Sequence, residues 1–144
     1  MKFRIVLFAV MLLLSWSVAA QDNEADSDSD FYKGVIAYRK YDFDEAAAWF
    51  LKAAEAGDVD AQFLLGRMHY DGNSLSVDQV TAYVWFDIAA GHGMRVGARY
   101  RNGIARDMTD EEVALAKERA DEWRRAHPDA GPKAARRRPE GGIK

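Results

Sequence analysis

The chain contains no cysteine, which excludes a disulfide framework, a thiolate zinc site and a thiol nucleophile and leaves any folded part to rely on its packing. Proline is almost as scarce. Its three copies, Pro128, Pro132 and Pro139, all stand near the C-terminus, so the stretch from Phe31 to Ala126 is free of the residue that most strongly breaks helices. An excess of basic charge is missing too: 23 acidic residues face 20 basic ones. That balance argues against nucleic acid as a partner, because phosphate contacts require a basic surface. The histidines His69, His92 and His127 never fall in an H-E-x-x-H or similar metal-ligand spacing, so no zinc site is expected. No serine elbow or paired carboxylate accompanies His69, which therefore reads as a packing residue rather than a general base. Gly91, Gly93 and Gly97 follow no strand and make no phosphate loop. Asp71-Gly72-Asn73-Ser74 lacks the alternating carboxylates and closing glutamate of a calcium loop and reads as a turn. Neither catalytic residues nor a metal or cofactor are expected.

A membrane-spanning apolar run is lacking as well. The run from Ile5 to Val18 follows Lys2 and Arg4 and ends at Val18-Ala19-Ala20; it stops short of the ~20 residues a spanning helix needs. Its layout is that of a secretory signal peptide, residues 1–20, cleaved after Ala20. Loss of Lys2 and Arg4 from the 20 basic residues would leave a net charge of −5 against 23 acidic ones. No lipid-attachment cysteine follows the run, so the expected compartment is the periplasm or the exterior. Residues 21–30 carry Asp22, Glu24, Asp26, Asp28 and Asp30 without large apolar side chains, the composition of a disordered acidic linker. Residues 127–144 combine the prolines and several glycines with Lys133, Arg136, Arg137, Arg138 and Lys144. They read as a disordered basic tail, able at most to touch an anionic envelope surface weakly.

Between linker and tail the apolar spacing is helical and repeats itself, within a length that suits one domain. Ala46, Trp49, Phe50 and Ala53 follow the i, i+3, i+4, i+7 pattern of one helix face, and Ala82, Trp85, Phe86 and Ala89 reproduce it 36 residues later. Gly57 and Gly93 follow the two helices where a left-handed cap would stop them. Asp42 and Asp78 precede them as N-cap acceptors. Ala61, Leu64, Leu65 and Met68 form a further stripe between the two. Small residues, Ala53-Ala54, Ala89-Ala90, Gly34 and Gly66, allow close helix approach while Trp49 and Trp85 fill the core. The fold class expected is all-α: a short superhelical solenoid of antiparallel helix pairs, two to three repeats over residues 31–126.

The residues Leu65-Gly66, Gly72, Leu75, Asp78, Ala82, Trp85, Phe86, Ala89-Ala90 and Gly93 closely resemble the Sel-1-like repeat, a relative of the tetratricopeptide repeat. Gly34 to Gly57, with the turn Tyr41-Asp42-Phe43, resembles a shorter unit lacking four loop residues. His69, where the family usually has tyrosine, and Ser74, in place of a loop glycine, depart from the pattern. Gly97 and Gly103 lie within the first helix of the expected third repeat and weaken it, each by ~1 kcal/mol relative to alanine. Met108-Thr109 with Val113, Ala116, Ala120 and Trp123 resembles the terminal capping helix of such proteins. Thr109-Asp110-Glu111-Glu112 forms its capping box and Pro128 its stop.

The resemblance implies a module that binds a protein or peptide in a concave groove, serving as an adaptor or scaffold in the cell envelope. The alternative is an envelope enzyme acting on cell-wall or antibiotic-type substrates. By analogy with tetratricopeptide repeats, the first helix of each pair lines the groove. That places Phe31, Val35 and Tyr38 there from the first unit, Phe63, Arg67 and Tyr70 from the second, and Arg99 and Arg106 from the third. Rings flanked by guanidinium groups suit a partner with an acidic segment or a free carboxylate.

Overall fold

The described helix ends are set by caps that the local sequence dictates. The computed structural model describes residues 22–73 and 77–131, which form six helices. They are α1 (Asp22–Arg39), α2 (Phe43–Glu55), α3 (Val59–Asp71), α4 (Gln79–Gly91), α5 (Arg95–Ile104) and α6 (Asp110–Ala126). Asp42, Asp58 and Asp78 cap α2, α3 and α4 by accepting from the amides of Glu45, Ala61 and Thr81. Thr109 and Glu112 form both bonds of the capping box on α6. Each satisfies amides that a helix leaves unpaired at its start.

The helix ends repeat in the same way. Gly57 and Gly93 both stand at φ +90°. The Gly57 amide donates to Ala54 (3.0 Å) and that of Asp58 to Ala53 (3.0 Å); Gly93 and Met94 donate to Ala90 (2.9 Å) and Ala89 (3.0 Å). This is the Schellman arrangement, which uses a left-handed residue to pair the last carbonyls. The end of α1 makes the same two bonds, from Tyr41 and Asp42, with Tyr41 rather than glycine at φ 65°.

Antiparallel pairing is fixed by a ring lying on bare backbone. A Cβ added to Gly34 would stand 2.6 Å from the Phe50 ring, and one added to Gly66 would stand 2.6 Å from Phe86. Hence α1 packs on α2 and α3 on α4 at a distance only glycine permits. Phe50, Phe86, Met68 and Ile88 are fully buried with the alanines Ala46, Ala53, Ala54, Ala61, Ala82 and Ala89 around them. Trp85 is buried against Trp123 of α6 (5.5 Å between rings). Trp49 stands at the same register but is half-buried, because Lys33 and Lys52 rather than a helix lie over its ring.

The third unit is built differently. Gly97 brings α5 against the backbone of α4, where a Cβ would stand 3.2 Å from the Phe86 carbonyl oxygen. The glycine thus serves a close approach within a regular helix. In the 36-residue register Arg101-Asn102 stand where α3 has Leu65-Gly66, so no ring can lie on that part of α5. Helix α6 packs mainly on α4, with Ala116 and Ala120 buried beneath it. Its tie to α5 is polar. Asp87 of α4 accepts from Arg101 Nη1 (2.7 Å) and Arg124 Nη2 (2.6 Å), joining three helices at one carboxylate.

Two segments that composition assigns to linker and tail are described in part. Of the acidic stretch over residues 21–30, residues 22–30 stand in α1, which begins at Asp22. Acidic residues favour a helix N-terminus, and Asp30 is buried between the ammonium groups of Lys33 (3.0 Å) and Lys52 (2.9 Å). At the start of the tail, His127 stacks on Trp123 (4.4 Å between rings), and its amide donates to the Trp123 carbonyl. Ala130 is buried, and Gly131 reaches the turn at Gly57. The proposed leader over residues 1–20, the loop positions Ser74 and Leu75, and the tail from Pro132 onward lie outside the described residues. Among the described residues no helix is long and apolar enough to cross a membrane.

Candidate functional site

Helices α1, α3 and α5 are the first members of successive pairs, and their side chains meet along one face. Tyr38 of α1 packs its ring on Phe43 (5.2 Å) and accepts a hydrogen bond at its hydroxyl from Asn73 Nδ2 (3.0 Å). Phe63 and Tyr70 of α3 both lie edge-on to Tyr100 of α5, at 5.4 and 6.1 Å. Arg67 stands over the same ring (5.4 Å) and donates from Nη1 to the Tyr100 hydroxyl (3.3 Å). The face is therefore continuous from α1 to α5, held by two side-chain hydrogen bonds between neighbouring units.

The residues singled out from the sequence divide into three groups. Phe31, Val35 and Phe63 are half-buried and turn toward the core, Phe31 against Phe50 and Phe63 against Phe86. Tyr38, Arg67 and Tyr70 are on the face itself, with Tyr70 42% exposed. Arg99 is exposed on α5, and Arg106 is exposed in the turn just past its end. The arginines differ in one further respect. Arg67 gives both Nε (3.1 Å) and Nη2 (2.8 Å) to Asp71 one turn on. Burial pulls against it, but the Asp71 hydrogen bond is the larger effect and raises the guanidinium pKa above its ordinary value. Its charge is thus answered inside the chain. Asp71, Asn73 and Tyr100 complete the face, to which the sequence did not assign them. The Arg67–Asp71 pair was readable from its i, i+4 spacing, whereas Tyr100 falls at the register of apolar Leu64 and carried no signal.

The titratable groups elsewhere are structural in their geometry. Gln62 is fully buried and donates from Nε2 to the Ala54 carbonyl (3.2 Å), so its Oε1 must accept from His92 Nδ1 (2.8 Å). That fixes the proton of neutral His92 on Nδ1. Burial, aided by the charge of Arg124, lowers the His92 pKa. Burial also lowers that of His69, outweighing the nearby charge of Asp78. His69 Nδ1 is buried and has no hydrogen-bond partner among the described residues. Among the described residues no cluster of histidine, aspartate or glutamate could hold a metal ion.

Residues 31–58 and 59–94 each match the Sel1 repeat model, and the boundary between the matches falls at the Asp58 cap of α3. No curated protein matches the chain in sequence. A similar solved structure is a protective antigen present in uropathogenic Escherichia coli strains and displaying an SLR fold. It is 25% identical, with a TM-score of 0.66 over 84% of this chain. This chain spans only 27% of that antigen's length. Repeats of this kind generally mediate protein–protein interaction. Six helices in successive antiparallel pairs, two consecutive Sel1 matches and an SLR-fold neighbour together identify an all-α helical-repeat solenoid, residues 31–94 being the part that matches the Sel1 repeat.

Proposed function

We propose that this chain is an exported, non-catalytic adaptor of the cell envelope, released by cleavage near Ala20, that binds a protein or peptide along the face of α1, α3 and α5. The observation that carries the binding reading is the pair of bonds Asn73 to Tyr38 and Arg67 to Tyr100. They fix rings of neighbouring units side by side and leave Tyr70 exposed at the centre, and pre-positioned aromatic groups lower the ordering cost of association. The charge balance and the repeat-protein likeness agree with a protein partner, one with an acidic segment being the favoured kind.

A photo-crosslinking residue in place of Tyr70 tests the site, with one in place of exposed Ala48 on α2 as the control. Tyr70 should capture a discrete partner that Ala48 does not, and that partner should then bind the purified protein directly. Equal capture from both positions would refute the assignment of the face. Intact-mass measurement of the protein recovered from the envelope fraction tests export: a start near Gln21 is expected, and a product beginning at Met1 would refute cleavage.

A further inference from the structure

Register with α3 identifies a side of α1 that has no covering helix among the described residues. Setting Gly34 on Gly66, an offset of 32 residues, places Ser29, Tyr32, Lys33 and Ile36 where α3 has Ala61, Leu64, Leu65 and Met68. Since α4 lies over Gly66, that side of α3 is turned toward α2, and Ala61, Leu65 and Met68 are buried there. On α1 the same side is open. Ser29 and Lys33 are exposed, and so are Tyr32 by 56% and Ile36 by 54%, two large apolar residues one turn apart. This side is distinct from the one holding Tyr38, which stands in register with Tyr70. Charge is ordered along α1 as well. The helix begins with Asp22, Glu24, Asp26 and Asp28 and ends at Arg39, with Lys40 just beyond. Neither Arg39 nor Lys40 forms an ion pair with a described residue.

We infer that this side is the interface of a twofold dimer, in which α1 of one copy packs antiparallel on α1 of a second copy. A helix that runs from acidic to basic complements itself only in that orientation, because each basic end then lies beside the acidic end of the other copy. A twofold axis between Tyr32 and Ile36 sets the Tyr32 ring of each copy on Ile36 of the other, so two equivalent apolar pairs leave water together. The same axis puts Ser29 opposite Arg39 and turns Lys40 toward the acidic turns of the facing helix. A second copy thus supplies what α2 supplies to α3, an apolar helix side. The outward side of α6 does not offer one. Opposite its buried Ala116 and Ala120, the exposed row Glu111, Leu115, Glu118 and Glu122 has a single apolar member among three carboxylates.

Sedimentation velocity of the purified chain over a range of concentrations tests for the dimer. A reversible monomer–dimer equilibrium is expected, weaker at high salt. Tyr32→Lys and Ile36→Lys should each weaken it at least about tenfold, with Tm close to that of the parent because both side chains are exposed. Leu115→Lys, at the exposed apolar position of α6, should change it less than about twofold. Orientation is read by chemical linking. The chain has no cysteine of its own, so Ser29→Cys and Arg39→Cys each carry a single thiol. A bis-maleimide spanning the about 8–10 Å between packed helices should join the two variants when they are mixed and join neither to itself. A chain that stays monomeric at every concentration, a mass that grows past the dimer, or a response to Leu115→Lys equal to that of Ile36→Lys overturns the inference. So does self-linking of Ser29→Cys, the mark of parallel helices. A monomer in which a crosslinker at Tyr70 still captures another protein overturns it too and leaves the binding face standing.

Discussion

Replacing Asp87 by asparagine should loosen α6 before anything else in the molecule. The carboxylate is 15% exposed and its partners Arg101 and Arg124 are 28% and 33% exposed, so the three charges sit where water screens them only in part. A hydrogen bond to a charged group contributes about 1.5–3 kcal/mol. Breaking a buried pair costs about 3–5 kcal/mol because the other charge is stranded. Here both arginines keep a second partner, Asn102 for Arg101 and Asp121 for Arg124, and asparagine retains one acceptor. A cost of about 2 kcal/mol follows, equivalent to a fall in Tm of roughly 8–12 °C for a domain near a hundred residues. Hydrogen exchange should show lost protection in α6 with α1 to α3 little changed. The acid limb should change as well. Burial pushes the Asp87 carboxyl up, but the hydrogen bonds and charges of Arg124 and Arg101 outweigh it and hold the group below its ordinary value. A depressed carboxylate stabilises the fold above the unfolded value, ~3.9, and loses that contribution as pH falls through the folded one. Asp87→Asn should therefore narrow its deficit below about pH 4. A Tm within about 2 °C of the parent, or uniform loss of protection across all helices, would refute the stapling role.

The paired glycines make opposite predictions. Gly66→Ala should destabilise by about 1–3 kcal/mol through overpacking against Phe86, whereas Gly103→Ala should stabilise by up to ~1 kcal/mol; urea unfolding of both variants decides it. Tyr41, 81% exposed in the left-handed region, should gain up to ~1 kcal/mol on replacement by glycine, reduced by loss of its edge contact with Phe43 (6.0 Å). His69 and His92 are held below their ordinary values by burial. Their neutral forms thus stabilise the fold fully above about pH 6.5, and the contribution is lost as pH falls through the folded values. The urea midpoint should be lower at pH 5.5 than at 7.5, and an equal midpoint would count against both assignments.

Most of the solenoid was legible because its determinants are local. The apolar spacing of Ala46 to Ala53 and its copy from Ala82 to Ala89, the caps at Asp42, Asp78 and Thr109, and the stops at Gly57 and Gly93 depend on residues a few positions apart. What escaped depends on partners distant in sequence. The ion pair of Asp30 draws on Lys52 from the next helix, and the contact near Ala130 draws on the turn at Gly57; composition sees neither. The candidate face shows the same division. Tyr38, Arg67 and Tyr70 were placed by register, but the pairing that occupies Arg67 and the arrival of Tyr100 depend on how the units stack. Third-unit register also misled through Gly97, whose value lies in the backbone of α4 rather than in its own helix.

The docking of Ala130 and Gly131 at Gly57 changes how the molecule should come apart. In a linear array each unit touches only its neighbours, so stability is close to a sum of unit and interface terms and the ends open independently. Here Ala130 and Gly131, a few residues past α6, rest on the α2–α3 turn, and their release requires either α6 to lift or that turn to move. The contact closes a long loop, which slows formation because its closure entropy comes before its reward. In return it makes the opening of one end felt at the other, so a chain assembled from separable modules should unfold as a single cooperative body.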